Sequence, residues 1–296
     1  MLFDLAFGEP RNRWHPVAWV GRTLGRARHW APSGRPMTLL AFGALVVVGS
    51  SLLVAALVAV VAHGAPALGW LGIFFQAWLL KCAFSLRGLV RAAGEVRTAL
   101  SHGRLEEARS HVGRHLVSRP TSGLSADQVV SATVESVAEN LTDSVVAPLF
   151  FFLLFGLPGA WAYRVVNTAD AMWGYRGGDL EHLGKAAARL DDLLNWIPAR
   201  LAGVGIVLGA FLVGEAAGRS WHSMWRDHVR TASPNAGWTI AAMAGALGVG
   251  LEKPGAYKVG GSCLPTAECI DRAVRIMGSA SGVALALALA LGVLRP

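Results

Sequence analysis

Residues 38–62, TLLAFGALVVVGSSLLVAALVAVVA, are 25 consecutive uncharged positions. An α-helix needs roughly 20 to cross about 30 Å of hydrocarbon, so this run predicts a transmembrane helix. His63 and the turn-forming Gly64 to Pro66 follow. The next uncharged run, Leu68 to Leu80, is shorter, carries Trp70 and Trp78 as interface anchors and stops at Lys81. Together the two runs predict a helical hairpin. Residues 145–163, VVAPLFFFLLFGLPGAWAY, are long enough to span. Pro148, Pro158, Gly156 and Gly159 within them predict a broken or re-entrant element. The stretches Leu201 to Val213 and Ala236 to Leu251 are apolar but short and glycine-rich, and Gly278 to Leu294 supplies a last span. The pattern predicts an all-α, polytopic helical membrane protein with four to six membrane elements.

Composition agrees: 53% of residues are hydrophobic and 16% charged, against about 25% charged in soluble domains. Cys82, Cys263 and Cys269 have neither an even count nor CxxC spacing, which excludes a disulfide scaffold. The start MLFDLAFGEPRNR lacks the pattern of a signal peptide, so no cleavage is expected. The net charge of +8 suits anionic head groups or a phosphorylated ligand. Six Lys or Arg precede residue 38, none separates the first two apolar runs, and eight lie between Lys81 and Arg119. The N-terminus and residues 81–144 are therefore expected on the cytoplasmic side. Five more in 164–200 suggest that 145–163 dips into the membrane and returns. The expected organisation is a single integral-membrane domain over 1–296, with 81–144 and 164–200 as cytoplasmic-facing polar segments carrying the active site.

Nine of the nineteen acidic residues lie between Asp127 and Asp192 beside only four basic ones, which reverses the sign of the chain's charge locally. Ser125 and Gln128 have capping-box spacing and predict a helix that runs to about Pro148. On it Glu135, Glu139 and Asp143 form one stripe, with Asn140 at its edge. Like charges at this spacing repel unless a cation sits among them. Arg164, Asn167 and Asp170 share a second helix face, and Arg189, Asp192 and Asn195, with Asp191 adjacent, a third. Carboxylates for a hard cation, amides, and guanidinium groups for the anion are what a Mg²⁺ and polyphosphate site requires. The alternative is buried polar glue between helices. Ser233, Pro234 and Asn235 precede a helix whose N–H groups would either receive an anion or be capped in the ordinary way. His111 and His115 have metal-ligand spacing, but no acidic partner accompanies them in sequence and no metal is expected there. The glycine-rich strings GVGIVLG and GALGVGL suit close helix packing, and GGDLEHLGKA misses the phosphate-loop pattern.

The strings ESVAENLTDSVVAPLF, NTADAMWGYR, ARLDDLLNWIPAR and SPNAGW with AMAGALGV, in this order, resemble the adenosylcobinamide-phosphate synthase family of cobalamin biosynthesis, CobD or CbiB. The opening, with Asp4, Gly8, Pro10, His15, Pro16 and Gly21, is similar too. Glu9 stands where the family has Asp, and the tail matches only around Tyr257 and Gly260. The resemblance implies a multi-pass inner-membrane ligase, its active site facing the cytoplasm. Such an enzyme joins a propionate carboxyl of adenosylcobyric acid to aminopropanol or its phosphate, with Mg²⁺ and ATP. Read onto this chain, Glu135, Glu139, Asp143, Asp170, Asp191 and Asp192 are the expected catalytic acids, with Glu135, Glu139, Asp143 and Asp192 as metal ligands. Asn140, Arg164, Asn167, Arg189, Asn195, Arg200, Ser233 and Asn235 are the expected substrate and phosphate contacts. The corrin is expected in an apolar cleft walled by Trp161, Trp173, Trp196 or Trp238. Expected partners are the corrinoid acid, the amino alcohol or its phosphate, and membrane lipid, with no nucleic acid. A homo-oligomer, or association with later membrane enzymes of the pathway, is the expected assembly. The competing class is a membrane sensor or transporter of the AmpE type, with the acids as an ion relay. Relay carboxylates sit in the middle of apolar spans, whereas these flank them, which favours the enzyme.

Overall fold

The computed structural model describes residues 13–33, 35–175 and 180–293. Asp4, Gly8, Glu9, Pro10, Gly177 and Gly178 lie outside the described residues. The chain is a polytopic, almost wholly helical membrane protein. Four helical stretches are long and apolar enough to cross a membrane among the described residues: Pro36–Leu68, Trp70–Ser101, Ala126–Trp173 and Glu268–Gly292. A bent pair, Leu180–Leu194 with Trp196–Leu212, makes a fifth if it counts as one span. Contacts divide the chain into two compact units, Met1–Ser85 with Ala147–Asn195, and Leu86–Val146 with Trp196–Pro296.

The first unit holds α1 (Pro16–His29), α2 (Pro36–Gly64), α3 (Trp70–Cys82), α7 (Ala147–Trp173), the single turn α8 (Leu180–Leu183) and α9 (Lys185–Leu194). Helix α2 starts on Pro36 at its first turn, where a missing N–H costs nothing. Leu45, Leu52 and Val60 on α2 are exposed, as an outward face in lipid requires. The α2–α3 hairpin forms as expected and is tight: a Cβ on Gly72 would lie 1.8 Å from the Ala65 carbonyl oxygen. Ser51 on α2 donates to the Ala162 carbonyl on α7 at 3.0 Å. Leu24, Val47, Val166, Trp173 and Leu183 form one core cluster, and Val58, Leu79, Cys82, Leu157 and Trp161 another.

Helix α7 does not begin where the sequence pattern ends the preceding helix. That helix, α6 (Ala126–Leu141), continues through a π-helical turn, Thr142–Val146, into α7, so Pro148 falls in the first turn of α7 rather than terminating α6. A widened turn before a proline accommodates its missing donor. The break lies further on, at Gly156, whose φ of 67° and ψ of −160° are open only to glycine.

The second unit comprises α4 (Leu86–Ser101), α5 (Leu105–His115), α6, α10 (Trp196–Leu212), α11 (Ala217–Asp227), α12 (Ala236–Leu247), the hairpin of β1 (Gly250–Lys253) and β2 (Tyr257–Gly260), and α13 (Glu268–Val293). Helix α6 is its centre, touched by α4, α5, α12, α13 and β1. Its capping box is present, with Gln128 Oε1 accepting from the Ser125 N–H at 3.1 Å. The glycine-rich helices pack closely, as expected: a Cβ on Gly209 would meet the Ile276 carbonyl at 2.7 Å, and one on Gly245 the Arg219 carbonyl at 2.4 Å. The apolar run from Ala236 does not stay helical to Leu251. Gly248 adopts a left-handed conformation and ends α12. The strands then pair antiparallel, with Gly250 opposite Gly260 and Lys253 opposite Tyr257.

Candidate active site

In the first unit, facing turns of α7 and α9 build a polar network. Arg164 Nη1 donates to Asn167 Oδ1 at 2.9 Å, and Asn167 Nδ2 donates to Asp191 Oδ1 at 3.3 Å. Asn195 Nδ2 donates to Asp191 Oδ2 at 2.9 Å, and its own Oδ1 accepts from the Tyr163 hydroxyl at 3.0 Å. The charges of Asp191 and Asp192 both act on Asp170. Asp170 and Asp192 thus lie within electrostatic reach of Asp191, which a half-buried amide ladder holds and beside which Arg164 is the guanidinium. The backbone leaves room for them: a Cβ on Gly174 would lie 2.0 Å from Asp170 Oδ1. Arg189, expected in this group, is exposed on α9 and makes no hydrogen bond or ion pair among the described residues.

Tyr163 also lines an apolar groove of about 280 Å³ with Val48, Leu52, Phe151, Phe155, Leu190 and Leu194 among others, open on the side where Val48, Leu52 and Phe155 are exposed. Its ring stacks on Phe151 at 5.2 Å between centroids. One tyrosine therefore joins an apolar groove to the acidic network. The expected tryptophan walls are different. Trp161 and Trp173 are 2% and 1% exposed and belong to the core clusters, so they wall no cleft. Their bulk fills the space between helices instead.

In the second unit, Glu135 on α6 is buried and doubly held. Its Oε1 accepts from Ser131 Oγ at 2.8 Å and its Oε2 from the Tyr257 hydroxyl at 2.7 Å, with Arg119 Nη2 4.0 Å from Oε2. Burial, then the negative charges of Glu135 and Glu139, push the Tyr257 phenol well above its ordinary pKa. The phenol stays protonated and is an obligate donor to Glu135. Glu139, one turn on, senses the charges of Glu135, Lys253 and Arg119 and makes no hydrogen bond among the described residues. Asn140 Nδ2 donates to the Ser136 carbonyl at 2.9 Å, and Asn140 Oδ1 lies 3.4 Å from Ser144 Oγ, which donates to it. Asp143 stands on the π turn, off the regular α-helical stripe. Such turns recur at functional sites.

Arg200, on α10 of the same unit, lies over the rings of Trp196 and Trp238 at 4.3 and 4.8 Å and donates to Asn235 Oδ1 at 3.4 Å. Ser233 Oγ accepts from the Asn235 and Ala236 N–H groups at 3.2 and 3.4 Å, so it caps α12 from within the chain. Tyr257, Ser131, Arg119 and Tyr163 are site residues that the charge and amide pattern did not single out. The Pro254-Gly255 turn between GLEK and AYKV was the available signal for the hairpin that delivers Tyr257.

A family model described as CobD/Cbib protein matches residues 1–277. The cobalamin biosynthesis protein CobD of Dehalococcoides mccartyi (strain CBDB1) is 42% identical over 272 residues, covering 90% of this chain and 86% of that protein. That of Klebsiella pneumoniae subsp. pneumoniae is 39% identical over 302 residues, covering 97% and 93%. The cobalamin biosynthesis protein CbiB of Salmonella arizonae is 35% identical over 304 residues, covering 98% and 94%. No solved structure matches this chain.

Proposed function

This chain belongs to the CobD/CbiB family of cobalamin biosynthesis, and from that premise we propose that it is an ATP- and Mg²⁺-dependent amide ligase, an adenosylcobinamide-phosphate synthase. Its substrates would be a propionate carboxyl of adenosylcobyric acid and aminopropanol or aminopropanol phosphate, met on the cytoplasmic side of the cell membrane. The observation that carries this reading is the gathering of Asp170, Asp191 and Asp192 with Arg164 as their guanidinium. The three carboxylates do not converge to metal-ligand distance as they stand, and both Asp191 oxygens are held by Asn167 and Asn195, so a divalent cation would draw Asp170 and Asp192 towards it.

A carboxylate is a poor acylating agent at neutral pH, so ATP would phosphorylate it first and the amine would then displace phosphate. Bound Mg²⁺ supplies charge neutralisation at the phosphates. Within the chain, Asp170, Asp191 and Asp192 would hold that ion. In the second unit, Glu139 and Asp143 are the carboxylates that would serve a cation of their own. Glu135, whose two oxygens are taken by Ser131 and Tyr257, would fix the field around Glu139 more than donate to metal. Arg164 and Arg200 would neutralise phosphate, and Arg189, being exposed, would reach it from the surface. The groove beside Tyr163 would seat an apolar edge of a large amphipathic ligand.

The test is ligation by the purified chain in detergent, with adenosylcobyric acid, the amino alcohol or its phosphate, ATP and Mg²⁺. Asp191→Asn and Glu139→Gln, shown folded, should each lower the rate by about 100-fold or more. Full Mg²⁺-dependent ligation by both variants, or ATP turnover indifferent to the corrinoid, would sink the reading.

A further inference from the structure

The two histidines of α5 stand in a setting the sequence alone does not show. Glu95, from the neighbouring helix α4, faces them, and one ligand atom from each of Glu95, His111 and His115 lies within 4.8 Å of the others. This brings a carboxylate from a second helix to the histidines, beside Glu107, which stands one turn before His111 on α5 itself. We propose that Glu95, His111 and His115 form a divalent transition-metal site that fastens α4 to α5, separate in chemistry from any Mg²⁺ site.

The hydrogen bonding around His111 makes the case. Its Nε2 points to Glu107 Oε1 at 3.6 Å, and its Nδ1 points to Glu95 Oε2 at 3.4 Å. Nδ1 is shielded from solvent and makes no hydrogen bond among the described residues. Nδ1 faces a carboxylate oxygen without a hydrogen bond, and either a proton or a metal ion between the two satisfies both. In the tautomer that carries its proton on Nε2, towards Glu107, the Nδ1 lone pair is available to a metal.

Both carboxylates are also prepared for these roles. Arg91 Nε holds Glu95 Oε1 at 2.9 Å, which leaves Oε2 turned to the histidines. Arg104 Nη1 holds Glu107 Oε2 at 2.8 Å, which leaves Oε1 turned to His111. The imidazoles of His111 and His115, one turn apart on one helix face, have centroids 6.3 Å apart with 23° between planes. Around a zinc-like ion, with bonds of about 2.0–2.2 Å, ligand atoms sit roughly 3.3–3.5 Å apart. Closing from 4.8 Å is within reach of a rotamer change at exposed His115. Two imidazole nitrogens and one carboxylate select Zn²⁺, Co²⁺ or Ni²⁺ over Mg²⁺ or Ca²⁺. Three protein ligands leave one position for water.

The test uses the full-length chain in detergent, carrying no histidine tag, titrated with Co²⁺ and read by visible absorption, followed by Zn²⁺ displacement. The expected result is one Co²⁺ per chain with the intense d–d bands of a tetrahedral site, lost on adding one equivalent of Zn²⁺. His111→Ala, His115→Ala and Glu95→Gln should each weaken binding by at least about tenfold. His102→Ala, on an exposed ring that meets only its own helix turn and Ser101, should bind as the native chain does. Zn²⁺ should raise the unfolding temperature of the native chain and of His102→Ala, and not of His111→Ala. Absence of tetrahedral bands in the native chain, or equal affinity in a folded His111→Ala variant, overturns the proposal.

Discussion

Asp227 shows how one side chain holds a distant part of the putting-together of the second unit. It closes α11, is fully buried, and accepts from Arg226 Nη2 at 2.6 Å and from the Gly260 N–H at 2.9 Å, with Arg230 Nε 3.2 Å away. Gly260 ends β2, so this carboxylate anchors the strand that carries Tyr257 to Glu135. Burial by itself would push the Asp227 pKa up, but the hydrogen bonds from Arg226 and Gly260 and the charges of Arg226 and Arg230 together hold it below the usual carboxylate range. A depressed folded pKa means stabilisation that is complete above the unfolded value of about 3.9 and is lost as pH falls through the folded value. Asp227→Asn should cost about 1–3 kcal/mol near neutral pH. Thermal unfolding in detergent should show the gap between variant and native chain shrinking below about pH 4, the native chain being the one that changes. A gap that stays constant down to pH 3 would contradict this account.

Among the elements, the broken helix α7 makes the sharpest demand on sequence. Gly156 sits at a φ and ψ where a Cβ is strained, two residues before Pro158. Gly156→Ala should therefore destabilise the chain by about 1–3 kcal/mol, seen as a lower unfolding midpoint. Gly282→Ala in α13, where a new Cβ meets nothing within 4 Å, should be neutral or stabilising by up to about 1 kcal/mol. Equal effects of the two changes would mean the break is not a glycine requirement. The same helix shows what sequence can convey. Uncharged length announced α2 and α13, and Gly156 with Pro158 announced an interruption. The pattern did not reveal that helix continues through Pro148, because a π turn changes the local register without any composition signal. The amide and carboxylate repeats at 164–170 and 189–195 were legible because both are helical faces. Tyr257 and Glu95 were not, since each meets its partner across a tertiary contact between elements far apart or differently oriented in the chain.

At the scale of the whole molecule, one hydrogen bond ties membrane topology to the site. The segment before α6 carries eight basic residues between Lys81 and Arg119, which the positive-inside rule is expected to put on the cytoplasmic side. Tyr257 bonds Glu135, in the second half of α6, and the β1–β2 hairpin is then expected on the side of that basic segment. With both on one side, the chain between Ala126 and Gly250 would cross the membrane an even number of times. The last span, Glu268–Gly292, would accordingly leave from the cytoplasmic face. A native reporter exists for this. Cys263 is exposed, and its carbonyl accepts from the Gly250 N–H at 2.8 Å, which fastens it to the hairpin, while Cys82 and Cys269 are buried. A membrane-impermeant maleimide should label the wild-type chain in inside-out vesicles and not in right-side-out ones, and Cys263→Ser should abolish the labelling. Modification from the outside face would place the hairpin opposite the basic segment. Either the charge rule or the Tyr257 contact to Glu135 would then be wrong for this protein, and a site supplied with cytoplasmic ATP would lose one of its walls.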